Sequence, residues 1–216
     1  MDILHIEAKS KIEIIPVIEK ALDKLPKRIG LVTTIQHLHQ LAEAKEFLSK
    51  KGINALIAGQ ILGCDASSAV KIKDKVDAFL YIGSGEFHPV EIALETKKRT
   101  ITANPFSGII GEVKKEQIEN IEKRQKGALM RFLSSDKIGI LVSLKPGQNK
   151  LKQALKLKEK LEKKGKEAYI FVADNLDLKQ CENFPFIQSW VNTACPRIAD
   201  DKPGVLNYDI ALRGIK

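Results

Sequence analysis

Short apolar segments alternate with longer amphipathic segments along this chain, and no other feature constrains its fold as strongly. Residues 28–34, 53–58 and 76–82 are short, apolar and rich in β-branched side chains, which is typical of buried strands. Residues 36–51 instead repeat apolar side chains at helical spacing and end at Gly52, a residue type that commonly terminates helices. Because strands that alternate with helices form parallel sheets, this pattern predicts an α/β fold.

The same alternation begins again in the second half of the chain. Strands are predicted over 138–143, 167–173 and 186–192, with a helix over 148–164. One constant spacing relates three pairs of residues in the two halves: Gly30 and Gly139, Tyr81 and Trp190, and Gly83 and Asn192. This self-similarity predicts two similar βαβ-type (Rossmann-like) domains with mostly parallel sheets, joined by a helical stretch. We expect residues 1–24 to form a remnant strand with a lead-in helix. The first α/β domain with the connecting helix is expected over 25–134, and the second α/β domain over 135–216.

Composition is that of an ordinary globular protein, with 44% apolar and 29% charged residues. Three cysteines cannot form a fully paired disulfide framework, so we expect free thiols. The sequence has no apolar run of transmembrane length, and the acidic residues Asp2, Glu7 and Glu13 do not suit a signal peptide. We therefore expect a cytoplasmic protein that does not enter a membrane.

The net charge of +9 comes mostly from lysines, which are densest over residues 149–166. Apolar residues at helical spacing in this segment place the lysines on the opposite face of a helix. That face is either simply solvated or a docking surface for an acidic partner. Aromatic residues make up only 6% of the chain and do not interleave the lysines, which argues against nucleic-acid binding by base stacking.

Ligands of parallel α/β sheets bind at the carboxyl ends of the strands. The loops at these ends cover residues 34–37, 59–64, 83–89, 144–148 and 193–197, where the chain concentrates Gly, Pro, Cys, His and Gln. This coincidence predicts a functional site at the strand ends.

Two of the three cysteines lie in these loops. Cys64 is flanked by glycine in GQILGCD, and Cys195 precedes a proline in NTACPR, as some iron–sulfur ligands do. Both could equally be buried structural thiols, and the absence of a C-x-x-C motif excludes a zinc ribbon or a thioredoxin-type site. Cys181 lies in a polar segment away from the strand ends, and we expect it to be incidental.

Candidate binding groups surround the cysteines in sequence. Gly83, Ser84 and Gly85 form a glycine-rich turn whose N–H groups could hold a carboxylate or phosphate. His88 is either a ligand-facing acid, base or donor, or a packing residue. Of His37 and His39, we expect one to face the site and the other to face solvent. The turn that contains Lys145, Gly147 and Gln148 is either an anion-binding turn or a plain turn.

Together these loops resemble one protein family over nearly the whole chain. The motifs that carry the resemblance occur in the family's order: TTIQHLH (33–39), AGQILGCD (58–65), DAFLYIGSGEFHP (77–89), ANPFSG (103–108), GILVSLKPGQ (139–148) and VNTACPRIADD (191–201). They resemble the archaeal diphthamide synthesis iron–sulfur enzymes, the 2-(3-amino-3-carboxypropyl)histidine synthases.

The resemblance implies a transferase that uses a [4Fe-4S] cluster and S-adenosylmethionine. Family members place three similar α/β domains around the cluster, with one cysteine from each domain. A 3-amino-3-carboxypropyl group passes by radical chemistry from S-adenosylmethionine to a histidine of translation elongation factor two. Carried onto this sequence, Cys64 and Cys195 match the cluster cysteines of the second and third domains. The glycine-rich and KPGQ loops would line the cofactor pocket, and Arg197 would lie near the cluster; no catalytic residue is assigned.

The family's first domain and its cysteine have no counterpart in these 216 residues, and DILHIEA (2–8) resembles only that domain's last strand. One interpretation is the larger part of a split enzyme, with a second chain supplying the first domain and third cysteine. The alternative is a non-catalytic homologue, a binding or scaffold subunit without a complete cluster. A labile cluster held with help from water or a second copy is a third interpretation. The two retained cysteine motifs favour the split enzyme, and Cys181 is not expected to reach the cluster.

Overall fold

The computed structural model describes Leu4, residues 8–200 and residues 204–215. The chain divides into two compact units, Met1–Ile118 and Glu119–Lys216. The boundary falls within a long helix, α5 (Lys115–Ser134), whereas the sequence pattern placed the boundary after it. The remnant strand expected at the start of the chain falls mostly on residues 1–3 and 5–7, which lie outside the described residues.

The first unit contains a five-stranded sheet in the order β2-β1-β3-β4-β5. The first four strands in this order are parallel, and β5 pairs antiparallel with β4. Its strands are β1 (Arg28–Thr33), β2 (Asn54–Gln60), β3 (Ala78–Ile82), β4 (Arg99–Ala103) and β5 (Ile110–Glu112). Its helices are α1 (Ile15–Ala21), α2 (Leu41–Lys50), α3 (Ser67–Val70) and α4 (Phe87–Thr96), and 3-10 turns cover Leu22–Lys24, Ile35–Gln40 and Lys73–Lys75.

Burial of both faces explains why the central strands appear in the sequence as unbroken apolar runs. Every residue of β3 is buried, and so is every residue of β1 after Arg28. One core cluster packs α1 and α2 against one side of the sheet, while a second cluster, which includes Phe79, Tyr81 and Ile92, packs on the other side. Pro16 is compatible with α1 because it lies in the first turn, where its missing N–H breaks no helical hydrogen bond.

The second unit contains a fully parallel four-stranded sheet in the order β7-β6-β8-β9. Its core includes Phe132, Ile140, Leu157 and Val191. Its strands are β6 (Lys137–Ser143), β7 (Glu167–Ala173), β8 (Ser189–Asn192) and β9 (Val205–Asn207). Its helices are α6 (Leu151–Glu162) and α7 (Tyr208–Gly214), with 3-10 turns over Leu178–Asn183 and Pro196–Asp200. Among the described residues, no helix is long and apolar enough to cross a membrane.

The predicted α/β class with mostly parallel sheets is confirmed, and the four parallel strands of each unit follow the same order. The alignment of the third strands is corrected, however. Gly30 pairs across the sheet with Phe79, and Gly139 pairs with Trp190. Trp190 therefore corresponds to Phe79 rather than to Tyr81, two residues away, because in each unit the strand glycine leaves room for the aromatic ring opposite.

Candidate functional site

In the first unit, the loops that follow β2 and β3 meet at the carboxyl end of the sheet. Gly63 marks the contact, because a Cβ atom at this position would lie 3.9 Å from Nε2 of His88 and 4.0 Å from Cβ of Phe87. The Cys64 turn and His88, which are far apart in sequence, are therefore neighbours at the carboxyl edge of the sheet. Leu62 and Phe87, which lie near them in sequence, also have exposed side chains.

Cys64 lies at the tip of a tight turn. The backbone groups of Leu62 and Asp65 pair in both directions at 3.1 Å, so Gly63 and Cys64 are the two residues between them. The Cys64 side chain is exposed. Asp65 Oδ1 accepts a 2.8 Å hydrogen bond from the N–H of Ser67, and its bonds to Ser67 lower the pKa of the Asp65 carboxyl. The turn is thus fixed at the start of α3 by a carboxylate that is ionised at neutral pH.

The glycine-rich turn over Gly83–Gly85 is built on Tyr81, which sequence reasoning did not single out. The Tyr81 hydroxyl donates a 2.9 Å hydrogen bond to the carbonyl of Ser84 and lies 3.4 Å from Nδ1 of His88. The Tyr81 and His88 rings stack with centroids 5.7 Å apart. A Cβ atom on Gly83 would lie 2.7 Å from the Tyr81 hydroxyl, which explains the glycine there.

Burial raises the pKa of Tyr81 to about 12, so its hydroxyl remains a donor at physiological pH. The hydroxyl therefore fixes both the turn and the orientation of His88. An aromatic residue at the end of the third strand, next to the glycine turn, was the available sequence signal.

Of the two histidines after β1, His39 is exposed, as expected for one of them, whereas His37 is fully buried. The His37 ring contacts Phe106 edge-on, with centroids 5.6 Å apart. Neither ring nitrogen of His37 has a hydrogen-bond partner among the residues that the structure describes. Burial, with a smaller contribution from the charge of His39, lowers the pKa of His37, which therefore stays neutral at physiological pH.

In the second unit, Cys195 lies in the loop after β8 and is half-buried. Asn192, the last residue of β8, holds this loop through its side-chain amide, which bonds to the carbonyl of Cys195 and the N–H of Ala194. Thr193 fastens the loop to the neighbouring strand, because its hydroxyl donates a 2.7 Å hydrogen bond to the carbonyl of Leu141. Sequence reasoning identified Cys195 but missed the hydrogen-bonding role of Asn192.

The loop after β6 contributes the turn of Lys145, Gly147 and Gln148. The backbone N–H of Gln148 donates to the carbonyl of Lys145 at 3.0 Å, and Gly147 has a φ of 77°, which favours glycine. Lys145 is exposed, so its ammonium group and the side-chain amide of Gln148 are the groups that the turn can offer to an anion. Because β6 and β8 are adjacent, this turn and the Cys195 loop follow neighbouring strands.

Cys181 has a different environment from the other two cysteines. Its side chain is 7% exposed and packs in a cluster with Leu178 and Trp190. It therefore acts as a small apolar group in the core of the second unit.

A [4Fe-4S] cluster needs thiolate ligands at positions that a bound group can reach. Cys64 and Cys195 fit this requirement because both lie at strand ends and neither is part of a core cluster, whereas Cys181 does not fit. No group of three or more His, Cys, Asp or Glu side chains suited to a metal ion occurs within the described ranges. The described residues thus offer two suitable thiols, one in each unit.

Comparison with known proteins agrees with these motifs. A model of the family described as "Putative diphthamide synthesis protein" matches residues 1–204. The 2-(3-amino-3-carboxypropyl)histidine synthase of Pyrococcus horikoshii is 35% identical over 192 residues, which cover 85% of this chain and 54% of that protein. "2-(3-amino-3-carboxypropyl)histidine synthase subunit 1" of Caenorhabditis elegans is 24% identical, over 86% of this chain and 50% of that protein. The chain thus spans about half the length of the curated relatives that it matches.

A solved structure extends the comparison to the fold. This chain resembles the crystal structure of Dph2 from Pyrococcus horikoshii with a 4Fe-4S cluster. The match covers 96% of this chain and 63% of the Pyrococcus horikoshii chain. The TM-score is 0.79, and the sequence identity is 30%. With the family model matching most of the sequence, this agreement leads to one conclusion: the chain belongs to the diphthamide synthesis protein family.

Proposed function

We propose that this chain is the larger part of an enzyme that transfers the 3-amino-3-carboxypropyl group of S-adenosylmethionine to a histidine of translation elongation factor two. The observation that carries the proposal is the placement of Cys64 and Cys195. Each thiol follows a strand of one unit, outside the core, within an intact family motif. The structural relative with a 4Fe-4S cluster supports the same assignment.

In this proposal, Cys64 and Cys195 hold a [4Fe-4S] cluster as thiolates. The bound cluster would supply the electron that breaks the bond between the sulfur and the methionine γ-carbon of S-adenosylmethionine. The N–H groups of Gly83–Gly85 would hold the carboxylate of the amino acid moiety on the turn that Tyr81 supports. The imidazole of His88 would contact the same ligand from its position beside the Cys64 turn.

The second unit would contribute cationic and polar groups to the same cofactor. Lys145 and Gln148, on the turn shaped by Gly147, would contact the carboxylate or amine, and Arg197 would offset negative charge near Cys195. The positions of these loops at the strand ends, where ligands of parallel sheets bind, support these roles.

The third cluster cysteine is proposed to come from protein outside these 216 residues. The sequence contains three cysteines, and the one besides Cys64 and Cys195 is buried in a core. Relatives named "subunit 1" indicate that diphthamide synthesis uses more than one chain in some organisms. A second chain in the cytoplasm, carrying the remaining domain and cysteine, would complete the site.

Anaerobic reconstitution with iron and sulfide tests this proposal. The chain is loaded alone and together with a chain that carries the family's first domain, and iron, sulfide and transfer of labelled 3-amino-3-carboxypropyl to elongation factor two are measured. We expect a full cluster and transfer only with the second chain. Cys64→Ser and Cys195→Ser should each lower both the cluster content and the transfer by roughly tenfold or more, whereas Cys181→Ser should leave both unchanged.

The alternative is a binding subunit without a complete cluster. It predicts that the two chains form a complex with elongation factor two while iron stays low, and that Cys64→Ser and Cys195→Ser behave as the unmodified chain. That result would overturn the catalytic proposal.

A further inference from the structure

We propose that Asn192 and Asn207 form a paired-amide brace that positions the thiol of Cys195. Asn192 ends β8 and is almost fully buried, while Asn207 ends β9 and is half-buried. The two strands are neighbours in the sheet, and the residues are directly paired in register. The Nδ2 group of Asn192 donates to Oδ1 of Asn207 at 3.0 Å.

From this pair, the brace reaches three consecutive residues of the cysteine loop. Asn192 Oδ1 accepts from the N–H of Ala194 at 3.0 Å, and Asn192 Nδ2 donates to the carbonyl of Cys195 at 2.8 Å. Asn207 Nδ2 donates to the carbonyl of Pro196 at 3.1 Å. The residue on each side of Cys195, and Cys195 itself, is thereby held by a side-chain amide.

The chemistry of the amide group makes this arrangement specific. Each amide has two N–H donors and a carbonyl acceptor, and Asn192 uses both kinds at once. An aspartate at position 192 would keep the acceptor for Ala194 but turn a carboxylate oxygen toward two carbonyl oxygens. Hydrophobic residues of the same size would leave the half-buried loop carbonyls without these donors, which is costly.

Asn207 lies immediately before α7, a position where an asparagine side chain commonly accepts a hydrogen bond from the first helical turn. Its side chain makes no such bond. It accepts from Asn192 and donates to Pro196 instead. The chain thus gives up a helix cap at this position and uses the amide to hold the Cys195 loop, which indicates a role for the brace beyond helix formation.

The brace also determines which groups remain available around the sulfur. The N–H of Ala194 is occupied by Asn192, Pro196 has no N–H, and the carbonyl of Cys195 accepts from both Asn192 and Ile198. Three polar backbone groups next to the thiol, the N–H of Ala194 and the carbonyls of Cys195 and Pro196, therefore already have partners. For a metal ligand, such support fixes the direction of the sulfur before the metal binds. The metal role rests on the proposed function, but the positioning of the thiol does not.

Thiol alkylation tests the brace in the full chain without any cluster. The chain is treated with iodoacetamide at about pH 9.5, where ordinary thiols are ionised, and Cys64 and Cys195 are followed separately by mass spectrometry. We expect Asn192→Ala and Asn207→Ala each to speed alkylation of Cys195 by about fivefold, because a braced loop opens less often. Cys64 in the same molecule should keep its rate. Asn183→Ala removes an exposed amide elsewhere in the same unit and should change neither thiol.

A double variant separates a brace from two unrelated contacts. If the amides act as one unit, Asn192→Ala with Asn207→Ala should react no faster than the Asn192→Ala variant alone. The proposal is overturned if the accelerations of the two single variants multiply in the double variant. It is also overturned if the alkylation rate of Cys195 is unchanged, or if Cys64 and Cys195 are accelerated equally. Asn207→Ala provides the test even if loss of the buried Asn192 prevents folding, and thermal unfolding identifies such a variant.

The reconstituted complex gives a second measurement. With the second chain present, Asn207→Ala should shorten the lifetime of the cluster absorbance in air by several-fold relative to Asn183→Ala. If the unmodified complex takes up no cluster, the proposed function fails while the alkylation result still decides the brace. If a cluster forms and its lifetime is unchanged in Asn207→Ala, the brace does not support a ligand.

Discussion

At the scale of single residues, His37 is a charge-sensitive point in the first unit. It is fully buried, and within the described part of the chain both of its ring nitrogens lack a hydrogen-bond partner. Burial and the nearby His39 lower the pKa of His37. The folded chain therefore binds a proton at this residue less readily than the unfolded chain does, and the free energy of unfolding should decrease as the pH falls below the ordinary histidine pKa of 6.5.

A leucine at position 37 should remove this pH dependence. We expect the urea midpoint of the unmodified chain to fall between pH 7.5 and pH 5.5, and that of His37→Leu to fall clearly less, because leucine neither titrates nor leaves buried nitrogens unpaired. His39→Gln is the matched control, since His39 is exposed, and it should keep most of the decrease. Parallel pH curves for the unmodified chain and His37→Leu would contradict this assignment.

Residue-level reasoning singled out the side chains proposed to face a ligand but not the side chains that hold their loops. Cys64, Cys195 and His88 could be singled out because their loops follow strands and carry unusual chemistry. The roles of Tyr81 and Asn192 were not predicted, because they depend on hydrogen bonds to the loop carbonyls of Ser84 and Cys195. The geometry of a loop decides such bonds, and residue periodicity contains no information about it.

At the scale of elements, a glycine facing an aromatic ring is the feature that both sheets share. Gly139 on β6 lies under the ring of Trp190 on β8, and a Cβ atom there would overlap the ring. Trp190 cannot easily move away, because its ring also contacts Phe171 and Phe184. Gly30 and Phe79 repeat the arrangement in the first unit, where the added Cβ atom would lie 2.5 Å from the ring.

Adding one methyl group at position 139 should therefore destabilise the chain. We expect Gly139→Ala to lower the free energy of unfolding by about 1–3 kcal/mol, the usual cost of overpacking a core. Gly127→Ala should have the opposite effect and stabilise the chain by about 1 kcal/mol, because this helical glycine has open space around it. Urea unfolding of both variants measures the two changes. A neutral Gly139→Ala would mean that the Trp190 ring can shift.

Strand length and burial explain which elements could be predicted from the sequence. Long apolar runs such as β1 and β6 were predicted because both faces are buried. The three-residue strands β5 and β9 were missed, since so few residues carry no periodic signal. The constant spacing also failed at the third strands, because register is determined by the packing of each glycine against a ring and not by the spacing along the chain.

At the scale of the whole molecule, the alternation of strands and helices predicted two parallel sheets, and each compact unit has its own core. Leu80 belongs to the core of the first unit and Ile140 to that of the second, and both are fully buried. Each unit also carries one proposed ligand, Cys64 in the first and Cys195 in the second. The stability of the two ligand loops should therefore depend on different cores.

Core variants test this separation through hydrogen exchange and thiol alkylation. Leu80→Ala should cost about 2–5 kcal/mol and speed amide exchange in β1 and β3, while β6 and β8 keep their protection. Ile140→Ala should do the reverse. Alkylation should follow the same division, with Cys195 unaffected by Leu80→Ala and strongly accelerated by Ile140→Ala. Equal loss of protection in both sheets from either variant would show that the units unfold together, and Cys64 and Cys195 would then share one stability.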